Sequence, residues 1–127
     1  MIPGELKYTS EHEWVRLDSE DTVTVGITHY AQDSLGDIVY VSLPAAGTPV
    51  SAGQTCGEVE STKSVSDLYA PVSGEVVAVN SAVDATPELI NSSPYGDGWL
   101  MRIRLNEPAQ MEGLLTASDY EGLTNGA

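Results

Sequence analysis

Phenylalanine is missing from the chain altogether, cysteine occurs once and lysine only twice. Each shortage excludes something. A single thiol, Cys56, cannot close an intrachain disulfide, so nothing calls for an oxidising compartment. Cys56 stands in Gln54-Thr55-Cys56-Gly57 with neither histidine near it in sequence, which fits a small half-buried residue better than a nucleophile. Five bases against 19 acids leave a formal net charge of −14. That is too acidic to neutralise nucleic-acid phosphates or to favour an anionic membrane surface. No apolar run approaches the roughly 20 residues that span a bilayer. The start, Met1-Ile2-Pro3-Gly4-Glu5, lacks the basic and apolar regions of a secretion signal. A cytoplasmic location is the expectation, mitochondrial only if a transit peptide preceded this sequence. Without Phe, the residues Val, Ile and Leu have to fill most of the core, helped by Trp14, Trp99 and six Tyr.

What is present points to one mainly β domain over residues 1–127. The length suits a single modest core, and 41% hydrophobic residues suit a folded chain. Twelve Gly and seven Pro, spread throughout, suggest short strands and many turns. Trp14 to Leu17 and Thr22 to Ile27 read as strands about the turn Asp18-Ser19-Glu20-Asp21, the second with half-buried alternation. Thr28 is placed to cap a helix over residues 29–35 that Gly36 closes. Further strands are expected at 37–43, 56–61, 66–70, 75–79 and 99–105. In the last, Leu100, Arg102 and Arg104 share one face and Met101, Ile103 and Leu105 the other. Pro108 to Leu115 and Ser118 to Leu123 read as helical, and residues 124–127 as a frayed tail.

The chain repeats itself. Gly36-Asp37-Ile38-Val39-Tyr40-Val41 matches Gly74-Glu75-Val76-Val77-Ala78-Val79 at an offset of 38 residues, and Thr48-Pro49 matches Thr86-Pro87 at the same offset. Two such copies can form two similar sheets about a pseudo-two-fold axis, each covering the other's apolar face.

Between the copies lies Lys63, with strand signals on both sides and the small polar Ser61, Thr62, Ser64 and Ser66 around it. This pattern places the lysine at or beside a hairpin tip, its amine projecting from the fold. A lysine at such a tip is ordinarily only a solubilising residue. Here acids already provide solubility, and the lysine sits where a double-repeat scaffold would present one feature. Other chemistry finds little support. His12 and His29 are 17 residues apart with no further ligand at metal spacing, and neither a Ser-His-Asp set nor a phosphate-binding glycine loop is present. No catalytic residue is assigned and the chain is not expected to be an enzyme.

The stretch Glu58-Val59-Glu60-Ser61-Thr62-Lys63-Ser64-Val65-Ser66-Asp67 resembles the lipoyl-attachment motif of the glycine cleavage system H-protein family. Residues 8–15, 25–32, 36–39, 69–76, 89–91 and 94–100 are similar to the family's other stretches, in the family's order. The resemblance implies a barrel-sandwich hybrid: two pseudo-symmetric antiparallel sheets with short helices in the N-terminal third and at the C-terminus, forming a single lipoyl-carrier domain. It implies lipoic acid in amide linkage to Lys63, with Glu58, Glu60, Ser61 and Asp67 in the attachment motif. It implies a carrier that takes an aminomethyl group of glycine from glycine decarboxylase, a pyridoxal-phosphate enzyme, to aminomethyltransferase, which uses tetrahydrofolate. Dihydrolipoamide dehydrogenase, with FAD, would reoxidise the arm, and a lipoyl-attaching enzyme would install it. A cleft that shields the loaded arm is implied too, at Glu13 and Asp67 and more loosely at Glu11, His12 and His29. A chain that visits several enzymes is expected to be monomeric, with no nucleic acid or membrane partner. Two alternatives stay open: an H-like protein that relays lipoyl groups to other enzymes, and an acidic interaction module with Lys63 unmodified.

Overall fold

Runs of β-branched residues broken by Gly, Pro and Asx turns give nine strands among the described residues, all antiparallel to their neighbours. The computed structural model describes residues 2–125. Strands β1 (Lys7–Tyr8), β2 (Glu13–Leu17), β3 (Thr22–Ile27), β5 (Pro49–Val50), β8 (Gly74–Val79) and β9 (Met101–Leu105) form one sheet in the order β1-β2-β3-β9-β8-β5. A smaller sheet takes β4 (Ile38–Ser42), β6 (Thr55–Ser61) and β7 (Val65–Tyr69) in the order β4-β6-β7. Helix α1 (His29–Leu35) follows β3, the short α2 (Ser81–Ala85) and α3 (Leu89–Ser92) follow β8, and α4 (Ala117–Asn125) comes last. The expected helix from Pro108 is a 3₁₀ segment, Pro108–Gly113. Residues 124 and 125 continue α4, and residues 126 and 127, the rest of the expected frayed tail, lie outside the described residues. Among the described residues, no helix is long and apolar enough to cross a membrane.

Two antiparallel sheets are present, as expected, but they are unequal, with six strands against three. The first repeat copy lies in the small sheet as β4 and the second in the large sheet as β8. Both copies carry a bulge at the same position. Val39 is the extra residue between Ile38 and Tyr40, and Val77 the extra residue between Val76 and Ala78. After the strands the copies diverge: Thr48-Pro49 leads into β5, whereas Thr86-Pro87 leads into α3.

The main core is wholly aliphatic apart from methionine. Val15, Val23, Val25, Val76 and Ile103 from the large sheet meet Ile38, Val41, Val59 and Leu68 from the small one. The aromatics help fill the interior, as expected, but in a place of their own. Tyr8, Trp14 and Tyr120 gather with Leu6 into a second cluster, because Tyr and Trp bury their rings only where the polar end finds a partner. The Trp14 indole N–H donates to the Pro94 carbonyl at 2.9 Å. The same ring lies over Gly26, where an added Cβ would come within 2.6 Å of it. This explains why β3 is buried from Val23 to Ile27 rather than alternately. Its outer face is roofed at Gly26 by Trp14 and at Thr24 by Arg16 and Arg102, whose guanidinium groups donate to the Thr24 hydroxyl.

Tyr120 ties α4 to the body. Its ring stacks on Tyr8 with centroids 4.7 Å apart, and its hydroxyl lies 2.7 Å from both His12 Nδ1 and the Thr28 hydroxyl. Burial pushes the Tyr120 phenol up to about 12, so it stays neutral and able to donate. Tyr120→Phe should therefore leave two sheltered partners short of a bond and destabilise the chain by about 2 kcal/mol in urea unfolding. Wild-type stability in that variant would show the network to be inert.

Candidate functional site

Strands β6 and β7 pair through Glu60↔Val65 and close over Thr62, Lys63 and Ser64. Ser61, only 5% exposed, builds the turn. Its hydroxyl oxygen accepts from the backbone N–H of Lys63 at 3.2 Å and of Ser64 at 3.1 Å, and donates to the Ser64 carbonyl at 3.1 Å. The Thr62 N–H donates to the Asp37 carbonyl at 3.0 Å, which pins the tip to the α1–β4 loop. That loop is held in turn by Asn91. Its Nδ2 donates to the Gly36 carbonyl and to Gln32 Oε1, both at 2.9 Å, while its Oδ1 accepts from the Ile38 N–H at 2.9 Å. Gly36 has φ +87, which favours glycine, and a Cβ there would stand 3.4 Å from Lys63 Cε. The lysine stem thus runs past Gly36 while the residue as a whole stays exposed. Lys63 takes part in none of the ion pairs among the described residues. A fixed backbone presents a free amine. Ser61→Ala should cost about 1 kcal/mol and speed amide hydrogen exchange at Lys63 and Ser64. Unchanged exchange at those two amides would remove Ser61 from this role.

A cleft of about 410 Å³ starts on the same hairpin. The cross-strand pair Glu58 and Asp67 lies on its wall with Thr55, Cys56, Pro49 and Pro44. Burial first, then the Glu13 carboxylate, push the Cys56 thiol up to about 11, so it remains protonated and a poor nucleophile. A second cleft, of about 380 Å³, is lined by Thr9, Ser10, Glu11, Glu13, Gly53 and Tyr69 among others. Glu13 opens β2 and is only 2% exposed. The Thr9 hydroxyl donates to Glu13 Oε1 at 2.8 Å, and the Tyr69 N–H donates to Oε2 at 3.0 Å. Burial nevertheless dominates and lifts the carboxyl to about 7.

Residues 6–126 match the family model described as Glycine cleavage H-protein. The chain belongs to that family. It is 62% identical over 127 residues to a glycine cleavage system H protein of Mycobacterium bovis, covering 95% of each chain. It is 55% identical over 122 residues to one from Cronobacter sakazakii, covering 96% of this chain and 95% of the relative. A solved structure of a glycine cleavage system H protein from Mycobacterium marinum superposes with a TM-score of 0.87 at 48% identity, covering 99% of this chain and all of that one. H-proteins are carrier components of glycine cleavage, not its enzymes, and the family carries a lipoyl group. This chain is such a carrier.

The expected arm-shielding residues of an H-protein do not all meet in one place. Glu11 and Glu13 share the second cleft, and Asp67 lines the first. His12 and His29 line neither cleft. His12 has φ +70, and its ring stacks on Tyr30 at 4.7 Å and reaches Tyr120, away from both clefts. His29 sits in the first turn of α1, with Nδ1 3.1 Å from Gln32 Nε2. Thr9, the Tyr69 backbone and Asn91 escaped sequence reading, because each acts on a residue far along the chain or through main-chain atoms. The second Thr-Pro of the repeat was the only hint that Pro49 had a structural post.

Proposed function

We propose that Lys63 carries the lipoyl group as an amide and that the adjoining clefts receive the arm. The observation that carries this reading is the rigid Ser61-built tip with a free amine at its end, set beside an open cleft on the same hairpin. The residues present fit such an arm. Thr62 and Ser64 on either side are small and exposed, and the amine has no competing ion pair. For attachment, the Lys63 nitrogen, once deprotonated, attacks the acyl carbon of an activated lipoyl group such as the mixed anhydride of an acyl adenylate. The amide C–N bond forms, the adenylate leaves with its electron pair, and the nitrogen gives up its proton to solvent. When bound, the group supplies a disulfide that accepts the aminomethyl group of glycine.

Lys63 extends that chemistry on a flexible stem, which holds it at high effective concentration near any docked enzyme. Glu13 and Asp67 face the two clefts with carboxyl groups suited to a cationic nitrogen. Glu13 is oriented for this by Thr9 and the Tyr69 N–H. The partners this reading requires are glycine decarboxylase, aminomethyltransferase, dihydrolipoamide dehydrogenase and the attaching enzyme, and the bacterial relatives favour a cytoplasmic setting. Tryptic mass spectrometry of the Lys63 peptide, from cells given lipoate, should show one lipoyl group. A fully lipoate-fed preparation with that peptide unmodified refutes the assignment and leaves the acidic-module alternative.

A further inference from the structure

The two repeat copies provide an internal comparison. A bulge sets two consecutive residues against one partner, so both can face outward. In β4 these are Val39 and Tyr40, opposite Glu60; in β8 they are Val77 and Ala78, opposite Arg102. The same backbone device carries different cargo. Val39 is 48% exposed and Tyr40 54%, and Val65 across β6 in the Tyr40↔Glu60↔Val65 row is 57% exposed. At the other bulge Val77 is 37% exposed and its neighbour is only an alanine. Single exposed apolar residues need no account, but three brought together by register on one small sheet do. Val65 opens β7 two residues past Lys63, Tyr40 and Val39 lie across β6 from it, and the exposed acids Glu58, Glu60 and Asp67 share their outer face.

We infer that the Val39–Tyr40–Val65 patch is the docking surface for the enzyme that acylates Lys63, which meets it with an apolar recess rimmed by basic side chains. This rests on the lipoyl reading of Lys63. Two features select this occupant. The attaching enzyme must bring its active site to the lysine nitrogen itself, so its footprint necessarily covers the hairpin's surroundings. Enzymes that act on the far end of a loaded arm need not reach the lysine nitrogen, so their footprints are not tied to the hairpin. The acid rim around an apolar centre also calls for a basic partner, and supplies orientation and encounter rate while the apolar centre supplies holding power.

The test compares Tyr40→Ser/Val65→Ser with Val77→Ser and wild type as substrates of a lipoate ligase with ATP and lipoate. The patch variant should show a KM for the unmodified chain raised at least about tenfold, with kcat within twofold of wild type. Val77→Ser should match wild type in both. Each chain is then loaded to completion with excess ligase, checked by intact mass, and assayed in reconstituted glycine cleavage. There the loaded patch variant should equal wild type. An unchanged ligase KM overturns the proposal. So does a defect confined to the loaded variant, which would give the patch to glycine decarboxylase or aminomethyltransferase. Failure of the wild-type chain to gain lipoyl mass defeats the Lys63 assignment first and the docking proposal with it. A circular dichroism spectrum like wild type for the patch variant separates lost docking from lost folding.

Discussion

Lys63→Arg should abolish lipoyl attachment and reduce the chain's carrier activity to background while leaving its fold intact. The guanidinium stays protonated at any working pH and offers no free amine to an activated carboxyl. Nothing structural depends on the lysine head. The contacts that shape the tip come from the Lys63 backbone N–H and the Ser61 hydroxyl, which arginine leaves in place. Stability should therefore change by less than about 0.5 kcal/mol, as for other exposed substitutions. Two lysines make the result clean, since only Lys7 remains. Lys7 lies in β1, paired with Val15, and cannot stand at a hairpin tip. Intact mass should show wild type gaining one lipoyl group and the variant none. Native electrophoresis gives an independent reading, because amidation removes one positive charge from a chain whose formal net charge is −14. Lipoyl mass appearing in the variant would move the attachment to Lys7 and dissolve the hairpin argument.

That lysine was legible because its signals are local. Strand-forming residues, small polar residues and a lone base in an acidic chain all lie within a dozen positions of one another. The longer strands were legible for the same reason: β3 and β9 carry their own alternation, and the Thr28 cap and Gly36 closure of α1 follow from residue type. The two-residue strands β1 and β5 carry no periodicity, since pairing with β2 and β8 alone defines them. Helices α2 and α3 are too short for an apolar stripe to repeat. The repeat announced two equivalent strands but not their shared bulge, because an extra residue reveals itself only against a partner. Glu13 was named only through the family resemblance, and its burial was not legible at all. In a strand beginning Glu-Trp-Val-Arg-Leu, an acid at the edge reads as solvated. What buries it and holds it is Thr9 in the preceding turn and the Tyr69 backbone, 56 residues away. The place of His12 was hidden for a related reason: its left-handed backbone, unusual for a non-glycine residue, turns the ring to Tyr30 and Tyr120.

Glu13→Gln should remove a stability slope between about pH 4.5 and pH 7. Burial raises the folded-state pKa of Glu13 from 4.5 to about 7, against the opposing bonds from Thr9 and Tyr69. A carboxyl whose folded pKa lies above its unfolded value binds more protons folded than unfolded across that interval. Its contribution is complete below pH 4.5 and is lost as pH rises to about 7, after which the buried charge costs a constant amount. A shift of this size corresponds to about 3 kcal/mol. Gln presents the same shape, with an oxygen for the Tyr69 N–H and an amide that can donate to the Thr9 hydroxyl, but it does not titrate. The other acids titrate in both proteins, so the informative quantity is the difference in unfolding free energy, variant minus wild type. It should rise by about 3 kcal/mol from pH 4.5 to pH 8, and parallel curves would mean that Glu13 is not held away from water. The same carboxyl links stability to cargo. A cation entering the cleft favours the charged form of Glu13 and offsets the cost of burying it, so the loaded wild-type chain should regain stability above pH 7 that loaded Glu13→Gln cannot. A group that strains the unloaded fold at neutral pH and is relieved by a cation is suited to hold an aminomethyl nitrogen in transit.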